Sequence, residues 1–253
     1  SAFTREDLHA YWHNMYAPEH AVLALAGHYD WQEVIALAEK HLLAWRGGAR
    51  PRRDTQTHSV PVTRLAREKD TEQMNLCLGF PGVAIGDKRS YEFSLVNSVL
   101  GGSMSSRLFQ KIREESGLAY SIYSYPNSYT DCGLLTVYAA TRPDSLAQVA
   151  EMTLREVRAL AEKGMTQGEF EMARQQLRAG YILGQESTSA RMNAAGRRLL
   201  LLNKTRSEEE VIAAIDGMTF EAANDMAKAL LSAEPSVALV GKGARKALEG
   251  LEV

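Results

Sequence analysis

Residues 100–125, LGGSMSSRLFQKIREESGLAYSIYSY, read as one helix-turn-strand unit. Gly101 and Gly102 permit a tight backbone approach, and Ser103 or Ser105 can cap the helix that follows. Leu108, Phe109 and Ile112 give that helix its apolar face. Arg113 lies near its end, Gly117 stops it, and Tyr120 opens the next strand. Arg113 and Tyr120 thus flank a single glycine turn and can converge on one point. Both side chains donate hydrogen bonds to a peptide carbonyl, and donors aimed at developing negative charge are what an acyl-transfer transition state requires. An arginine near a helix carboxy terminus also serves simply to satisfy the dipole and the last carbonyls, so the pair alone leaves both readings open.

Outward from this unit, Val60 to Glu68 and Gln73 to Phe80 read as strands, and a helix runs from about Asp87 to Leu100. Downstream, Ala119 to Tyr129 and Gly133 to Thr141 are two strands joined through Thr130-Asp131-Cys132-Gly133, a hairpin signal. The next hundred residues are mostly helical. Ala147, Ala150, Leu154, Val157 and Ala161 share one face, and Thr166 with Glu169 forms a capping box ahead of Phe170, Ala173, Leu177 and Tyr181. Further helices start near Ala190 and Ser207, and the chain closes with helix Thr219 to Leu231, strand Ser236 to Gly241 and a last short helix. The pattern predicts an α+β fold, an antiparallel sheet with helices packed on one face, over residues 57–253.

The start of the chain resembles its end. Thr4 and Asp7 suggest a shortened capping box for a helix over about 5–16, with Leu8, Tyr11, Trp12 and Met15 at helical spacing. A short apolar run, His20 to Gly27, reads as a buried strand, and Trp31 to Leu43 as a helix. Thr4-x-Glu6 leads to Val22-Leu-Ala-Leu-Ala-Gly27 much as Thr219-x-Glu221 leads to Val237-Ala-Leu-Val-Gly241. A two-fold repeat of this kind means two related units. It predicts that residues 1–46 are the tail of a truncated amino-terminal domain, that 47–56, with their glycines, proline and arginines, are a linker, and that the chain begins inside a longer protein.

Composition limits the function classes. With 29 basic and 31 acidic residues among 253, the chain has no basic footprint for nucleic acid. Its apolar runs are far shorter than the roughly 20 residues of a membrane span. Cys77 and Cys132 are too few for a disulfide framework or a cysteine zinc site and are expected as small buried residues. All six histidines precede residue 59, and only His9 and His13 have the i, i+4 spacing of paired metal ligands. Trp12 stands where the inverted motif H-x-x-E-H requires its glutamate base, so these two are expected as surface histidines and no metal site is assigned.

The run from Gly101 to Tyr123 resembles the most characteristic segment of the second domain of pitrilysin/insulinase-type (inverzincin) zinc metallopeptidases, a family that includes mitochondrial processing peptidase. The resemblance extends over residues 57–253, with the Gly184-Gln-Glu-Ser-Thr-Ser-Ala-Arg191 helix junction. It also covers residues 1–46, where Thr4, Leu8, Tyr16, Pro18, Gly27 and Asp30 match the end of the family's first domain. The resemblance implies that Arg113 grips the substrate backbone and Tyr120 donates to the scissile region, supported by the loop residues Gly101, Gly102, Ser103 and Gly117. It implies that zinc and base lie upstream, in an amino-terminal half outside this sequence, so that this chain binds no cofactor and is inactive alone. The implied partners are a peptide substrate and a zinc-bearing domain, from the same parent chain or a paired subunit. Self-association through residues 1–45 is a further expectation, because an unpaired strand edge recruits another chain. The alternative is a non-catalytic scaffold or partner subunit of the same family that binds peptide or protein.

Overall fold

Met74, Leu76, Leu78 and Phe80 are each 2% exposed or less, while Asn75, Cys77 and Gly79 between them are half-exposed. A period of two marks a strand covered on one face only. The structure, a computed structural model, describes residues 2–46 and 61–251, so the expected linker 47–56 lies outside the described residues. These residues divide into two compact units, one from 2–46 with 180–207 and the other from 61–179 with 208–251.

The larger unit is built on a five-stranded sheet in the order β1-β5-β2-β4-β3. Its strands are β1 (Arg64–Glu68), β2 (Met74–Pro81), β3 (Ala119–Ser128), β4 (Gly133–Thr141) and β5 (Ser236–Gly241). All pairings are antiparallel except β1 with β5, which run parallel from Arg64↔Val237 to Glu68↔Gly241. The expected α+β architecture is present, with this one parallel pair. It arises because the last strand returns between the first two.

Helices α3 (Ser90–Leu100), α4 (Leu146–Lys163) and α8 (Phe220–Leu231) cover one face of the sheet and pack on each other. The face of α4 is Leu146, Val149, Ala150, Leu154, Val157, Leu160 and Ala161, whereas Ala147, expected among them, is exposed. Larger side chains one phase step away claim the contact with the sheet. The end of β2 runs equally close to the start of β4: a Cβ on Gly82 would lie 2.5 Å from the Leu134 nitrogen. Cys77 and Cys132 are half-buried rather than buried, and Cys77 sits on the uncovered face opposite Tyr138. Helices α7 (Glu208–Asp216), α9 (Ala244–Glu249) and the part of α5 (Gln167–Gly184) before Gly180 complete this part of the chain.

The smaller unit holds α1 (Arg5–Met15), α2 (Trp31–Leu42) and α6 (Thr188–Leu202). Thr4 and Asp7 form the full capping box, each side chain meeting the other's backbone nitrogen at 3.2 and 2.9 Å. The segment expected as a buried strand, His20 to Gly27, is corrected. His20 ends a 3-10 turn (Pro18–His20), Ala21 to Gly27 belong to no sheet, and the side chains from His20 to Gly27 alternate between exposed and half-exposed. A strand is defined by its hydrogen-bonded neighbour, and none of the described residues supplies one. For the same reason α1 and α2 bury no side chain, and Leu8, Tyr11, Trp12, Tyr16 and Leu23 stand 48–76% exposed along with Phe3.

One ion pair ties the sequence around the glycine turn to the helical layer. Arg107 Nε and Nη2 meet the two Glu169 oxygens at 2.6 and 2.7 Å, and Nη2 also donates to the Gly164 carbonyl. Glu169 closes the expected capping box with Thr166 at the start of α5. Burial alone would raise the Glu169 carboxyl; the Arg107 and Thr166 hydrogen bonds outweigh it and hold the group at about 2, against an ordinary 4.5. A depressed folded value means that this stabilisation is fully present above pH 4.5 and is lost as pH falls toward 2. Glu169→Gln is expected to cost about 2–3 kcal/mol at neutral pH. In urea melts the gap from wild type should shrink at pH 3, and an equal gap at pH 3 and pH 7 would refute the assignment.

Candidate functional site

Gly101 and Gly102 end α3, and both backbone N–H groups donate to the Asn97 carbonyl, at 3.0 and 2.7 Å. The loop then presses against β3. The Ser124 N–H donates to the Gly101 carbonyl at 3.0 Å, and the Ser124 hydroxyl donates to Asn97 Oδ1 at 2.8 Å. A Cβ on Gly101 would lie 2.6 Å from the Ser124 nitrogen, so the glycine there is a requirement of close approach. Neither Ser103 nor Ser105 caps the next helix. Ser103 Oγ turns back to the Ser98 carbonyl and to Ser105 Oγ, while buried Ser106 stands at the helix start and its carbonyl accepts from Gln110.

The helix carrying Arg113 is wound as a π-helix over Phe109–Glu115. Gly117, at φ +62°, reverses the chain: its N–H reaches the Arg113 carbonyl at 3.2 Å, and the Leu118 N–H reaches the Ile112 carbonyl at 3.1 Å. Arg113 lies across the Phe109 ring at 4.9 Å and has one long contact to Glu114, 3.8 Å, with both side chains about half exposed. Such a surface pair contributes little. The other cations of this segment are committed to carboxylates, Arg107 to half-buried Glu169 and Lys111 to buried Glu156. Arg113 alone keeps most of its guanidinium donors for something else.

Tyr120 is set by a bulge. Ala119 pairs with Thr141 and Ser121 with Ala140, leaving Tyr120 as the extra residue. The bulge shifts the parity of the strand, so Ala119 and Ile122, three apart, are both buried while Tyr120 is 75% exposed. Thr141 Oγ1 donates to the Leu118 carbonyl at 2.6 Å and fixes the entry to the bulge. Among the described residues the Tyr120 hydroxyl makes no hydrogen bond, and none links it to Arg113. The two donors therefore stand free on either side of the Gly117 turn. Beyond the bulge Tyr123 stacks on Tyr138 and Tyr125, with ring centroids 5.0 and 5.8 Å away.

The sequence did not name Asn97, Ser124, Lys111, Glu156 or Thr141 as parts of this site. The Ala119-Tyr-Ser-Ile122 spacing carried a signal for the bulge, since two apolar residues three apart cannot share one face of a regular strand. The ion pairs have no such local signal. Zinc fits poorly on these residues: among the described residues no group of three or more His, Cys, Asp or Glu side chains could hold a metal ion. His9 and His13 are exposed on α1, with the His9 ring 6.0 Å from Trp12.

Comparison with known proteins bears on this geometry. Residues 2–177 match the family described as the peptidase M16 inactive domain. The chain is 36% identical to the uncharacterized zinc protease YmxG of Bacillus subtilis over 242 residues, 95% of this chain and 58% of the relative. It is 37% identical to the uncharacterized zinc protease ML0855 of Mycobacterium leprae over 251 residues, 97% of this chain and 56% of the relative. It thus spans somewhat more than half the length of these curated relatives. A crystal structure of a peptidase M16 inactive domain from Pseudomonas fluorescens superposes with a TM-score of 0.83 at 22% identity, covering 95% of this chain and 58% of that one.

The close approach of the glycine loop to β3 yields a measurable expectation. Gly101→Ala should lower stability by about 2–3 kcal/mol, since the methyl meets backbone that cannot yield cheaply. Gly180→Ala, with open space around its added carbon inside α5, should be neutral or gain up to about 1 kcal/mol. Thermal melts of the two variants that moved by the same amount would contradict this account.

Proposed function

The chain belongs to the family of the peptidase M16 inactive domain, and from that premise we propose that it is the substrate-positioning half of a zinc-dependent endopeptidase acting on peptides or unfolded segments. The observation that carries the reading is the pair of exposed donors at one turn, Arg113 short of committed partners and Tyr120 displaced by its bulge. In this role the Arg113 guanidinium donates to carbonyl oxygens of an extended peptide backbone. The Tyr120 hydroxyl donates to the carbonyl of the scissile region, where negative charge grows during attack by water.

Zinc and the general base belong, in this reading, to the part of the longer protein that relatives possess and this chain does not span, or to a paired subunit. A zinc ion supplies an activated water at neutral pH when bound in such a half. The residues of this chain contribute grip and orientation. A scaffold subunit that binds peptide without cutting it is the second reading; retention of both donors favours the first, since a scaffold has no chemical need for the pair.

The smaller unit supports a partner role. Its extended segment Ala21–Ala26 and the exposed Tyr16, Leu23 and Leu25 offer unpaired backbone beside apolar side chains. The zinc-bearing domain is the partner proposed for this surface. In its absence a second copy takes the place, so the chain alone self-associates through residues 1–45.

Two measurements test these statements. The purified chain should bind a fluorescein-labelled unstructured peptide, detected by anisotropy, without cleaving it when zinc is added. Arg113→Ala should weaken that binding about tenfold, the scale of losing hydrogen bonds from a charged group, with Tyr120→Phe weakening it less. Chelator-sensitive cleavage by the pure chain, or unchanged binding by Arg113→Ala, would overturn the reading. Sedimentation velocity should show mass rising with concentration, and a monomer at every concentration would remove the self-association.

A further inference from the structure

Lys111 and Arg113 stand two residues apart in one π-helix and are used in opposite ways. Lys111 Nζ meets both carboxylate oxygens of Glu156 at 2.7 Å, and Glu156, on α4, is only 5% exposed. A carboxylate so far from water depends on its cation, whereas the lysine stem is 46% exposed and has water as an alternative. The same residue is held through its backbone as well: Ser116 Oγ donates to the Lys111 carbonyl at 2.6 Å. The Gly117 and Leu118 N–H groups close on the Arg113 and Ile112 carbonyls. Arg113 therefore sits inside a short loop of bonds that is tied to the buried helical layer by the Lys111 pair with Glu156, beside the fully buried Ile112.

The winding of this turn is itself unusual. π-helical turns are rare, short, and frequent at functional sites. Arg107, one turn earlier, is pinned to Glu169 on α5, so two ion pairs flank the buried Leu108 and Ile112 and leave Arg113 outside both. The first fastening fixes where the helix starts. The second, beside Arg113, fixes the phase with which it ends.

We propose that Glu156 is a positioning residue, which through Lys111 holds the π-helical turn in the phase that presents Arg113 to a peptide backbone. This rests on the reading of Arg113 as a peptide-binding residue. Glu156 does not touch substrate. Its effect on binding passes entirely through Arg113.

The full chain serves for the test, with the same fluorescein-labelled unstructured peptide as probe. Two variants are used: Glu156→Gln, which keeps a hydrogen-bond acceptor of similar size, and the paired apolar change Lys111→Met with Glu156→Leu, which removes the tether without burying an unpaired charge. Hydrogen exchange at the Gly117 and Leu118 amides is expected to speed about tenfold or more in both, with the amides of β2 unchanged. Peptide affinity should fall about fivefold in both, and adding either change to Arg113→Ala should cause no further loss, the coupling expected of residues acting as a unit. If the variants bind as tightly as wild type while Arg113→Ala binds weakly, the positioning role is overturned and the peptide-binding reading stands. If the losses add to that of Arg113→Ala, Glu156 supports the fold generally and the proposal also fails. If Arg113→Ala binds like wild type, the reading of Arg113 falls and takes this proposal with it.

Discussion

Strand β5 lies between β1 and β2, and without it β1 has no partner in the sheet. Val237 to Gly241 pairs on one side with Arg64 to Glu68, and Ser236 to Val240 pairs on the other with Asn75 to Gly79, so the last strand of the chain joins segments far upstream. The loop closed by that pairing contains every helix from α3 to α8 and the whole Arg113–Tyr120 turn. The layer of α3, α4 and α8 packs on β2, β3 and β4. Non-local pairing of this kind is slow to form but, once formed, couples distant parts of the chain into one cooperative unit. Glu68 illustrates the coupling, since its carboxylate accepts from the Gly243 and Arg245 N–H groups and so secures α9 to the end of β1.

Local features of this fold were legible from residue types. Thr4 with Asp7 and Thr166 with Glu169 do form capping boxes, the helix read from Thr219 is present with Thr219 as its cap, and the hairpin at Thr130–Gly133 does join β3 to β4. These signals work because their physics is confined to a few neighbouring residues. The segment Ala21–Ala26 shows where such reasoning stops. Its apolar pattern specifies an extended backbone, but pairing depends on a partner that no local pattern can provide. Nor does periodicity fix the exact phase of α4, where Val149 and Leu160 are buried and Ala147 is not. The parallel register of β1 and β5 lay outside local reading altogether.

At the site, sequence indicated two donors and their glycine turn; structure adds the reasons they are available. Four cationic or phenolic groups lie close in the chain, yet Arg107 and Lys111 are consumed by carboxylates from α5 and α4. Those pairings link residues 62 and 45 positions apart, which is why nothing near residue 113 announced them. Selective commitment of charges separates the Arg113 guanidinium from its neighbours more sharply than exposure alone. The bulge does the same for Tyr120, turning it out of the alternation that buries Ala119 and Ile122. Both donors are thus defined by what the surrounding residues withhold from them.

The hydrogen bond from the Ser124 N–H to the Gly101 carbonyl also governs what the outer margin of the sheet can do. β3 is an edge strand, and a row of open backbone groups on such an edge invites another chain to pair with it. Here the outward N–H at the middle of the strand is already taken, and two residues on Pro126 has no N–H to offer. The edge is blunted along its carboxy-terminal half and open only near the bulge. The loop that shapes the candidate site thereby also guards the sheet against indiscriminate strand addition, a safeguard that the unpaired Ala21–Ala26 segment lacks.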